Sequence, residues 1–448
     1  MSDTICAIST AVGVGAISII RVSGTDSINI VNKIFDKDLT KVKTHTINYG
    51  HIIENEEIID EVMVTVMKSP KTFTREDIVE INCHGSIAAT NKIFEMLLVN
   101  GARQAEPGEF TKRAFLNGRI DLIEAESIMD LIEAKTESQR KLSINGINGK
   151  ISKLIKDIIQ KLIDVNANIE VNIDYPEYED IEVVTKDNIL NISKYIEKEL
   201  SKLLNESENG RLIKNGINTV ILGKPNVGKS SILNKLIDEE KAIVTDIAGT
   251  TRDILEGQLK INGILLNIID TAGIHETQDI VERIGVEKSI NLIDNADLII
   301  LVFNNNQKID EEDLKLLDLT KNKRRIIVIN KMDLDSNLDF NIFKEENIIK
   351  LSALDNVDIL KESISNIYNL NELNNKDFTY LSNAREISLV KKAINVSKNL
   401  EENLKKDIPI DILEIDIKEI CEILGEIIGE SYDDKLIDTL FSNFCLGK

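Results

Sequence analysis

Residues 223–230 read Gly-Lys-Pro-Asn-Val-Gly-Lys-Ser and fit the phosphate-binding pattern GxxxxGK(S/T). The loop lies between the β-rich segment INTVIL and the helix-forming segment SSILNKLI, which is the context that the pattern requires. Backbone N–H groups there would surround phosphates, Lys229 would reach the β- and γ-oxygens, and the Ser230 hydroxyl would bind Mg²⁺. Taken alone, the same spacing also suits an ordinary glycine turn between a strand and a helix.

Two later segments carry groups that a nucleoside triphosphate and its magnesium ion need. The run Gly-Thr-Thr-Arg-Asp at 249–253 offers Thr251 as a second hydroxyl ligand for Mg²⁺. The apolar segment ILLNIID ends in Asp270, which can approach Mg²⁺ through a water molecule. The N–H of Gly273 can then sense the γ-phosphate.

A fourth motif predicts the base. The segment RRIIVIN ends in Asn330, followed by Lys331, Met332 and Asp333. The Asp333 carboxylate can accept from the two N–H groups on the edge of guanine, whereas adenine would leave it unpaired. Ser352-Ala353, after the segment NIIKL, is placed to back the base. The order of the four motifs predicts a site that binds and hydrolyses GTP. Its expected contacts are Asn226, Val227, Gly228, Lys229, Ser230, Ser231, Thr245, Asp246, Ile247, Ala248, Gly249, Thr250, Thr251, Asp270, Thr271, Ala272, Gly273, Asn330, Lys331, Asp333, Ser352 and Ala353.

The group that orients the attacking water is not the usual one. Ile274 occupies the position after Asp-Thr-Ala-Gly where Ras-like enzymes have glutamine. Glu276 is the nearest candidate, although an idle carboxylate in an exposed loop fits the spacing equally well. The motifs contain no arginine finger, so a bound cation could serve instead, with the Asn226 amide oxygen as one ligand.

Composition narrows the class of protein. The chain has 448 residues, enough for several domains, and it lacks both a signal peptide and an apolar run of the ~18 residues that a membrane span needs. We therefore expect a cytoplasmic protein with no membrane partner. The four cysteines form no CxxC pair, which argues against a zinc site or a disulfide framework. A net charge of −22 disfavours non-specific binding to DNA, so an RNA partner would have to meet a local basic patch or be held by another subunit.

The pattern of segments predicts a multidomain chain. Short β-rich runs and one helix predict an α+β domain over 1–117, and apolar pairs every four residues predict amphipathic helices over 118–210. Alternating strands and helices predict an α/β domain with a parallel sheet over 211–377. Helical patterning returns over 378–448, so the α/β domain is expected to be inserted between two halves of one helical bundle.

Motifs outside the nucleotide site carry a family resemblance. The runs are Ile20-Arg21-Val22-Ser23-Gly24, Glu106-Pro107-Gly108-Glu109-Phe110-Thr111 with Arg113-Ala114-Phe115-Leu116-Asn117-Gly118, and the final Phe444-Cys445-Leu446-Gly447-Lys448. With them the chain resembles the TrmE (MnmE) family of tRNA modification GTPases over essentially its whole length. The nucleotide motifs alone are shared with Era- and Der-type GTPases.

The resemblance implies an N-terminal domain that dimerises and binds 5-formyltetrahydrofolate or a related folate, a helical domain from two segments, and an inserted Ras-like G domain. It implies folate contacts at Arg21, Glu80, Arg119 and Lys448. It further implies that K⁺ replaces the arginine finger, held by Asn226, Thr245, Ile247 and Thr250, and that Glu276 orients the water.

The resemblance also implies a reaction and its partners. The chain would act as a homodimer, in a heterotetramer with the FAD-dependent protein MnmG, to add an aminomethyl or carboxymethylaminomethyl group at C5 of the wobble uridine of certain tRNAs. A tetrahydrofolate would supply the one-carbon unit. Cys445 is a candidate catalytic thiol, and a packed or idle terminal cysteine is the alternative.

Two other functions fit parts of the pattern. A ribosome-assembly GTPase of the Era or Der type would carry a basic RNA-binding module beside the G domain, and neither flank contains such a stretch. A nucleotide-sensing scaffold would bind GTP without useful turnover, against which Thr251, Asp270 and Glu276 count.

Overall fold

The computed structural model describes residues 3–174, 186–239, 255–269, 292–343, 346–354, 357–370, 380–406, 408–431 and 434–447. The chain divides into two compact units, one formed by 1–129, 146–200 and 384–448 and the other by 130–145 and 201–383. The boundaries expected after residues 117, 210 and 377 are finer than this division and stay predictions.

The first unit contains a six-stranded sheet of order β3-β4-β5-β2-β1-β6. Its neighbours pair antiparallel except β1 and β6, which are parallel. Two helices and a buried aliphatic cluster cover one face, so this region is the expected α+β fold. The elements are β1 (Ile5–Ile8), β2 (Ile17–Ser23), α1 (Ser27–Asn32), β3 (Thr46–Glu54), β4 (Glu57–Met67), β5 (Ile78–His84), α2 (Ile87–Val99) and β6 (Arg103–Gln104).

Helices from two distant segments of the chain complete the first unit. On α6, Ile155, Ile158, Ile159 and Leu162 are buried, because the spacing of three and four residues puts them on one face. The helix α12 (Ile410–Ile428) packs against both α6 (Lys150–Asp174) and α11 (Ala384–Lys405). The two segments thus join in one helical layer, as expected. The helices that follow the first sheet are α3 (Glu109–Leu116), α4 (Leu122–Glu133), α5 (Glu137–Ile147), α6 (Lys150–Asp174) and α7 (Lys186–Asn215), and those near the C-terminus are α11 (Ala384–Lys405), α12 (Ile410–Ile428) and α13 (Asp434–Ser442). Residues 130–145 and 201–215 of these helices belong to the second unit.

The second unit contains a six-stranded sheet of order β12-β11-β10-β7-β9-β8. Every residue of β9 and β10 is buried, which is typical of parallel strands covered on both faces. Separate apolar clusters line the two faces. The elements are β7 (Ile217–Leu222), α8 (Lys229–Glu239), β8 (Leu255–Ile261), β9 (Ile264–Ile269), β10 (Leu298–Asn304), α9 (Glu311–Thr320), β11 (Arg325–Asn330), a 3₁₀ helix (Phe340–Phe343), β12 (Ile348–Lys350) and α10 (Asp358–Ile367).

One edge of this sheet departs from the all-parallel expectation. The strands β8 and β9 pair antiparallel through the two-residue turn Asn262-Gly263. Both turn residues have positive φ, 44° and 82°, as a tight hairpin turn requires. The hairpin turns the chain back at the edge, so that β9 can still run parallel to β7.

The C-terminal tail packs on the N-terminal part of the first unit. The Gly108 N–H donates to the Cys445 carbonyl at 3.3 Å, and the Ser9 hydroxyl donates to the Gly447 carbonyl at 3.1 Å. Phe441 and Phe444 are buried in one cluster with Phe115. Across the described residues, no helix is both long enough and apolar enough to cross a membrane.

Candidate functional site

The predicted phosphate loop connects β7 to α8 and has the backbone shape that its sequence requires. Asn226 has φ 63° and Gly228 has φ 101°. A Cβ on Gly228 would lie 2.1 Å from Nδ2 of Asn330, so only glycine fits between the loop and β11. Ser230 and Ser231 are exposed in the first turn of α8, where backbone N–H groups favour an anion.

Lys229 is held at the mouth of this loop. Its Nζ donates to the carbonyls of Gly223 at 2.7 Å and Lys224 at 2.9 Å. Burial lowers the pKa of Lys229, because the surrounding protein solvates the ammonium group less well than water does. A phosphate would stabilise the charged form again, which is the electrostatic basis for binding one here.

The predicted base-recognition residues are joined to the phosphate loop by Asn330. This side chain is 2% exposed, donates to the Val227 carbonyl at 2.9 Å and accepts from the Ala353 N–H at 3.0 Å. Lys331, which has φ 62°, donates from Nζ to the Asn226 carbonyl at 2.8 Å. The structure therefore brings the phosphate loop, the 330–333 segment and the 352–353 segment together.

The carboxylate of Asp333 is oriented and remains exposed. The Ser352 hydroxyl donates to its Oδ1 at 2.8 Å, which fixes the plane of the carboxylate. Asp333 itself is exposed. A carboxylate held in this way can accept from the paired N–H donors of a guanine.

Part of the predicted site lies outside the described residues. This part comprises Thr245, Asp246, Ile247, Ala248, Gly249, Thr250, Thr251, Asp270, Thr271, Ala272, Gly273, Glu276 and Lys448. Their roles stay predictions.

In the first unit, Arg21 and Glu80 are cross-strand partners on β2 and β5. Arg21 Nε donates to Glu80 Oε1 at 2.8 Å, and both side chains are about one-fifth exposed, 23% and 22%. The guanidinium also lies over the ring of Phe110 and donates from Nη1 to the Gly447 carbonyl at 3.4 Å. Two of the expected folate contacts thus meet beside the C-terminal tail.

Arg119 lies beside another part of the apolar cluster that contains Phe110. Its guanidinium stacks on the ring of Phe73 at 5.6 Å and donates to the Thr72 carbonyl at 3.0 Å. Phe73 packs against the small cluster that contains Phe110, so the two arginines flank one aromatic patch. Arg119 also lines a cavity of about 410 Å³ with Asp121, Glu124 and Lys156.

The buried ion network around Arg113 was not foreseen. Arg113 is 1% exposed and donates to Asp3, Glu76 and Glu109. Arg103 adds a second guanidinium against Asp3 and Glu109. The spacing of Glu109 and Arg113, four residues apart on one helix, was the signal in the sequence that could have indicated an ion pair.

The four thiols differ in accessibility. Cys6 and Cys83 are buried, and Cys421 is partly buried. Burial raises the pKa of Cys6 to about 12 and that of Cys421 to about 11, so these two are protonated at neutral pH. Cys445 alone among the four is exposed, while its backbone is anchored through Gly108.

Known proteins match both the flanks and the whole chain. The family model for the GTP-binding protein TrmE N-terminus matches residues 4–119, and the model for the MnmE helical domain matches residues 122–445. A tRNA modification GTPase MnmE from Lactococcus lactis subsp. cremoris (strain MG1363) is 51% identical over 449 residues, covering 100% of this chain and 98% of the relative. The MnmE of Staphylococcus aureus (strain MSSA476) is 50% identical, covering 100% and 99%.

Solved structures match a smaller share of the chain. An Era variant from Aquifex aeolicus bound to GDP·AlF₄⁻ is 24% identical, with a TM-score of 0.27, and the match covers 40% of this chain and 66% of that one. Because that TM-score is low, family membership rests on the sequence matches. At half identity over the full length, the chain belongs to the MnmE (TrmE) family of tRNA modification GTPases.

Proposed function

We propose that this chain is a cytoplasmic, potassium-activated GTPase that works with MnmG on the wobble uridine of certain tRNAs. The observation that carries the GTPase part is the double contact of Asn330, which joins the loop that would hold phosphates to the segment that would back the base. One nucleotide can therefore contact both, and the oriented Asp333 carboxylate favours guanine over adenine.

Hydrolysis needs charge stabilisation at the phosphates. Lys229 supplies one cation, and Ser230 at the start of α8, with Thr251, would hold Mg²⁺. The Asn226 side chain, with Thr245, Ile247 and Thr250, would hold K⁺. A monovalent cation at that position neutralises charge that develops between the β- and γ-phosphates, and Glu276 would orient the water.

Steady-state GTP hydrolysis by the full chain tests this proposal in potassium and sodium at equal ionic strength. We expect potassium to accelerate turnover at least about tenfold, and Asn226→Ala to abolish the difference between the salts. Asn341→Ala, which changes an exposed asparagine of the same unit, is the matched control and should keep it. Equal wild-type rates in both salts would refute potassium activation, whereas the absence of hydrolysis in either would refute the GTPase itself.

A folate is the proposed ligand of the first unit, held by Arg21, Glu80, Arg119 and Lys448. Arginine and lysine suit the carboxylates of its glutamate, and a glutamate can accept from the N–H edge of its pterin. Equilibrium binding of 5-formyltetrahydrofolate to the full chain tests this. We expect Arg21→Ala to weaken binding at least about tenfold and Lys41→Ala, on an exposed side chain, to leave it unchanged. Equal affinities for all three proteins would exclude this role for Arg21.

The proposed product is an aminomethyl or carboxymethylaminomethyl group at C5 of the uridine, formed by a homodimer of this chain in a heterotetramer with MnmG. Cys445 is a candidate thiol for that reaction because it is exposed. With both proteins and tRNA present, a Cys445→Ser variant that keeps GTP hydrolysis but loses tRNA product would support a chemical role. A variant that keeps both activities would show that this thiol is idle.

A further inference from the structure

We propose that Lys224 positions the nucleotide site by fastening the phosphate loop to the first turn of α9. This inference rests on the proposed GTPase function and adds a residue to it. Lys224 is a variable position of the GxxxxGK(S/T) pattern, and the motif itself gives its side chain no task.

The side chain of Lys224 ends between two carboxylates. Its Nζ lies 2.6 Å from Asp310 Oδ2 and 2.7 Å from Asp313 Oδ2. The Lys224 side chain is 15% exposed and that of Asp313 is 5% exposed, so water screens this pair less than a surface ion pair. Asp310 is more open, at 55% exposed.

Hydrogen bonds at the start of α9 hold both carboxylates in place, independently of Lys224. Asp310 caps α9 and accepts from the N–H groups of Glu312 and Asp313, while Asp313 accepts from the Asp310 N–H at 3.2 Å. This reciprocal cap holds the two carboxylates near the helix N-terminus, where the helix dipole attracts negative charge. A rigid acceptor reduces the entropy lost when Lys224 binds.

The backbone of Lys224 supports the phosphate-binding lysine. Its carbonyl accepts from Lys229 Nζ at 2.9 Å, so a shift of Lys224 moves an acceptor that orients that ammonium group. From the other side, Asn330 and Lys331 bind the carbonyls of Val227 and Asn226. The loop is therefore held both by the base-recognition segment and, through Lys224, by α9.

The pKa shifts of Lys224 and Asp310 have the directions that these short distances imply. Burial acts to lower the pKa of Lys224, but its hydrogen bonds to Asp310 and Asp313 outweigh that effect and the pKa is raised. The hydrogen bond from Lys224 lowers the pKa of Asp310. The ion pair of Lys224 with Asp310 thus stays charged at neutral pH.

The test compares Lys224→Met with Lys224→Arg in the full chain. Dissociation constants for fluorescent GDP and GTP analogues are measured together with the unfolding temperature of the nucleotide-free protein. We expect Lys224→Met to weaken both affinities about tenfold, and Lys224→Arg to restore them to within about twofold, because arginine keeps the charge. Lys321→Met, which removes an exposed ion pair at the end of α9, is the control and should change neither affinity.

Asp313→Asn provides a second variant that keeps the shape of the side chain. Combined with Lys224→Met, it should add little further loss, because both changes break one contact. Unchanged affinities in Lys224→Met would overturn the inference, as would a lower unfolding temperature without weaker binding. A wild-type chain that binds neither analogue would instead refute the proposed GTPase, and this inference with it.

Discussion

Single side chains connect the two ends of the candidate nucleotide site. Asn330 Nδ2 donates to the Val227 carbonyl, and Asn330 Oδ1 accepts from the Ala353 N–H. An amide buried with both groups bonded is rigid, since losing either bond would cost about 1–3 kcal/mol. These hydrogen bonds within the protein therefore set the distance between the phosphate loop and the base-recognition segment.

Gly228→Ala tests how closely this amide packs on the loop. The new Cβ would lie 2.1 Å from Asn330 Nδ2, and the residue would keep a positive φ of 101°. Steric overlap and backbone strain together cost about 3 kcal/mol, so GTP affinity should fall about 100-fold in a direct binding assay. Gly101→Ala is the control, because Gly101 has φ 111° with open space around it, and it should leave GTP affinity unchanged. Near wild-type affinity in Gly228→Ala would argue against the close packing.

Much of this site could be predicted residue by residue. Gly228, Lys229, Asn330 and Asp333 were expected at the nucleotide because each motif implies its own local geometry. The partners that fix these side chains, such as the Val227 carbonyl for Asn330, could not be predicted. They depend on how β7 and β11 pack on either side of β10. Lys224 is another such case, because its partner Asp310 is 86 residues away in the sequence.

At the scale of elements, α3 is held to its surroundings by charge. Arg113 and Glu109 lie one turn apart on this helix and bind each other at 2.9 Å in a buried setting. Arg113 also reaches Asp3 and Glu76, so one guanidinium ties the N-terminal segment and the loop before β5 to the helix. Buried charges must be paired in this way, and removing one partner is costly.

Glu109→Gln tests this network through pH. Burial acts to raise the pKa of Glu109, but hydrogen bonds from Arg103, the Glu106 backbone and Arg113 outweigh it and lower the pKa. Because the folded pKa is below the unfolded one, the carboxylate stabilises the fold above the unfolded pKa, and this contribution is lost as pH falls through the folded pKa. We expect the variant to be about 3 kcal/mol less stable at pH 7.

The difference between Glu109→Gln and wild type should shrink in acid, as measured by urea unfolding followed over a pH series. Glu106→Gln, on an exposed glutamate three residues earlier, is the control and should unfold like wild type. A difference for Glu109→Gln that stays constant down to acid pH would show that charge is not the cause.

The sequence predicted element types better than element edges. Continuous apolar runs indicated most strands of the second sheet, because parallel strands covered on both faces bury every residue. The antiparallel β8 was missed, although Asn262-Gly263 between two apolar runs is a strong hairpin signal. The ion network at Arg113 joins three segments that are distant in sequence, so no local sequence pattern predicts the whole network.

At the scale of the whole molecule, residues from two helices pack in the same core as the sheet of the second unit. Leu142 of α5 and Ile213 of α7 belong to the same buried cluster as the strands. Gln139 donates to the Lys214 carbonyl at 2.7 Å, which joins those helices within the unit. The two helices and the sheet thus share one packed core within this unit.

Asp333, held by the Ser352 hydroxyl, is the residue proposed to select guanine beside the phosphate loop. The most direct measurement compares kcat/KM for GTP and for xanthosine triphosphate, in wild type and in Asp333→Asn. Xanthine has a carbonyl where guanine has its amino group, so it needs a donor where Asp333 offers an acceptor. We expect wild type to prefer GTP, and the variant to lose about 100-fold on GTP and to prefer xanthosine triphosphate. A variant that still prefers GTP would contradict the assignment of Asp333 and the guanine site built on it.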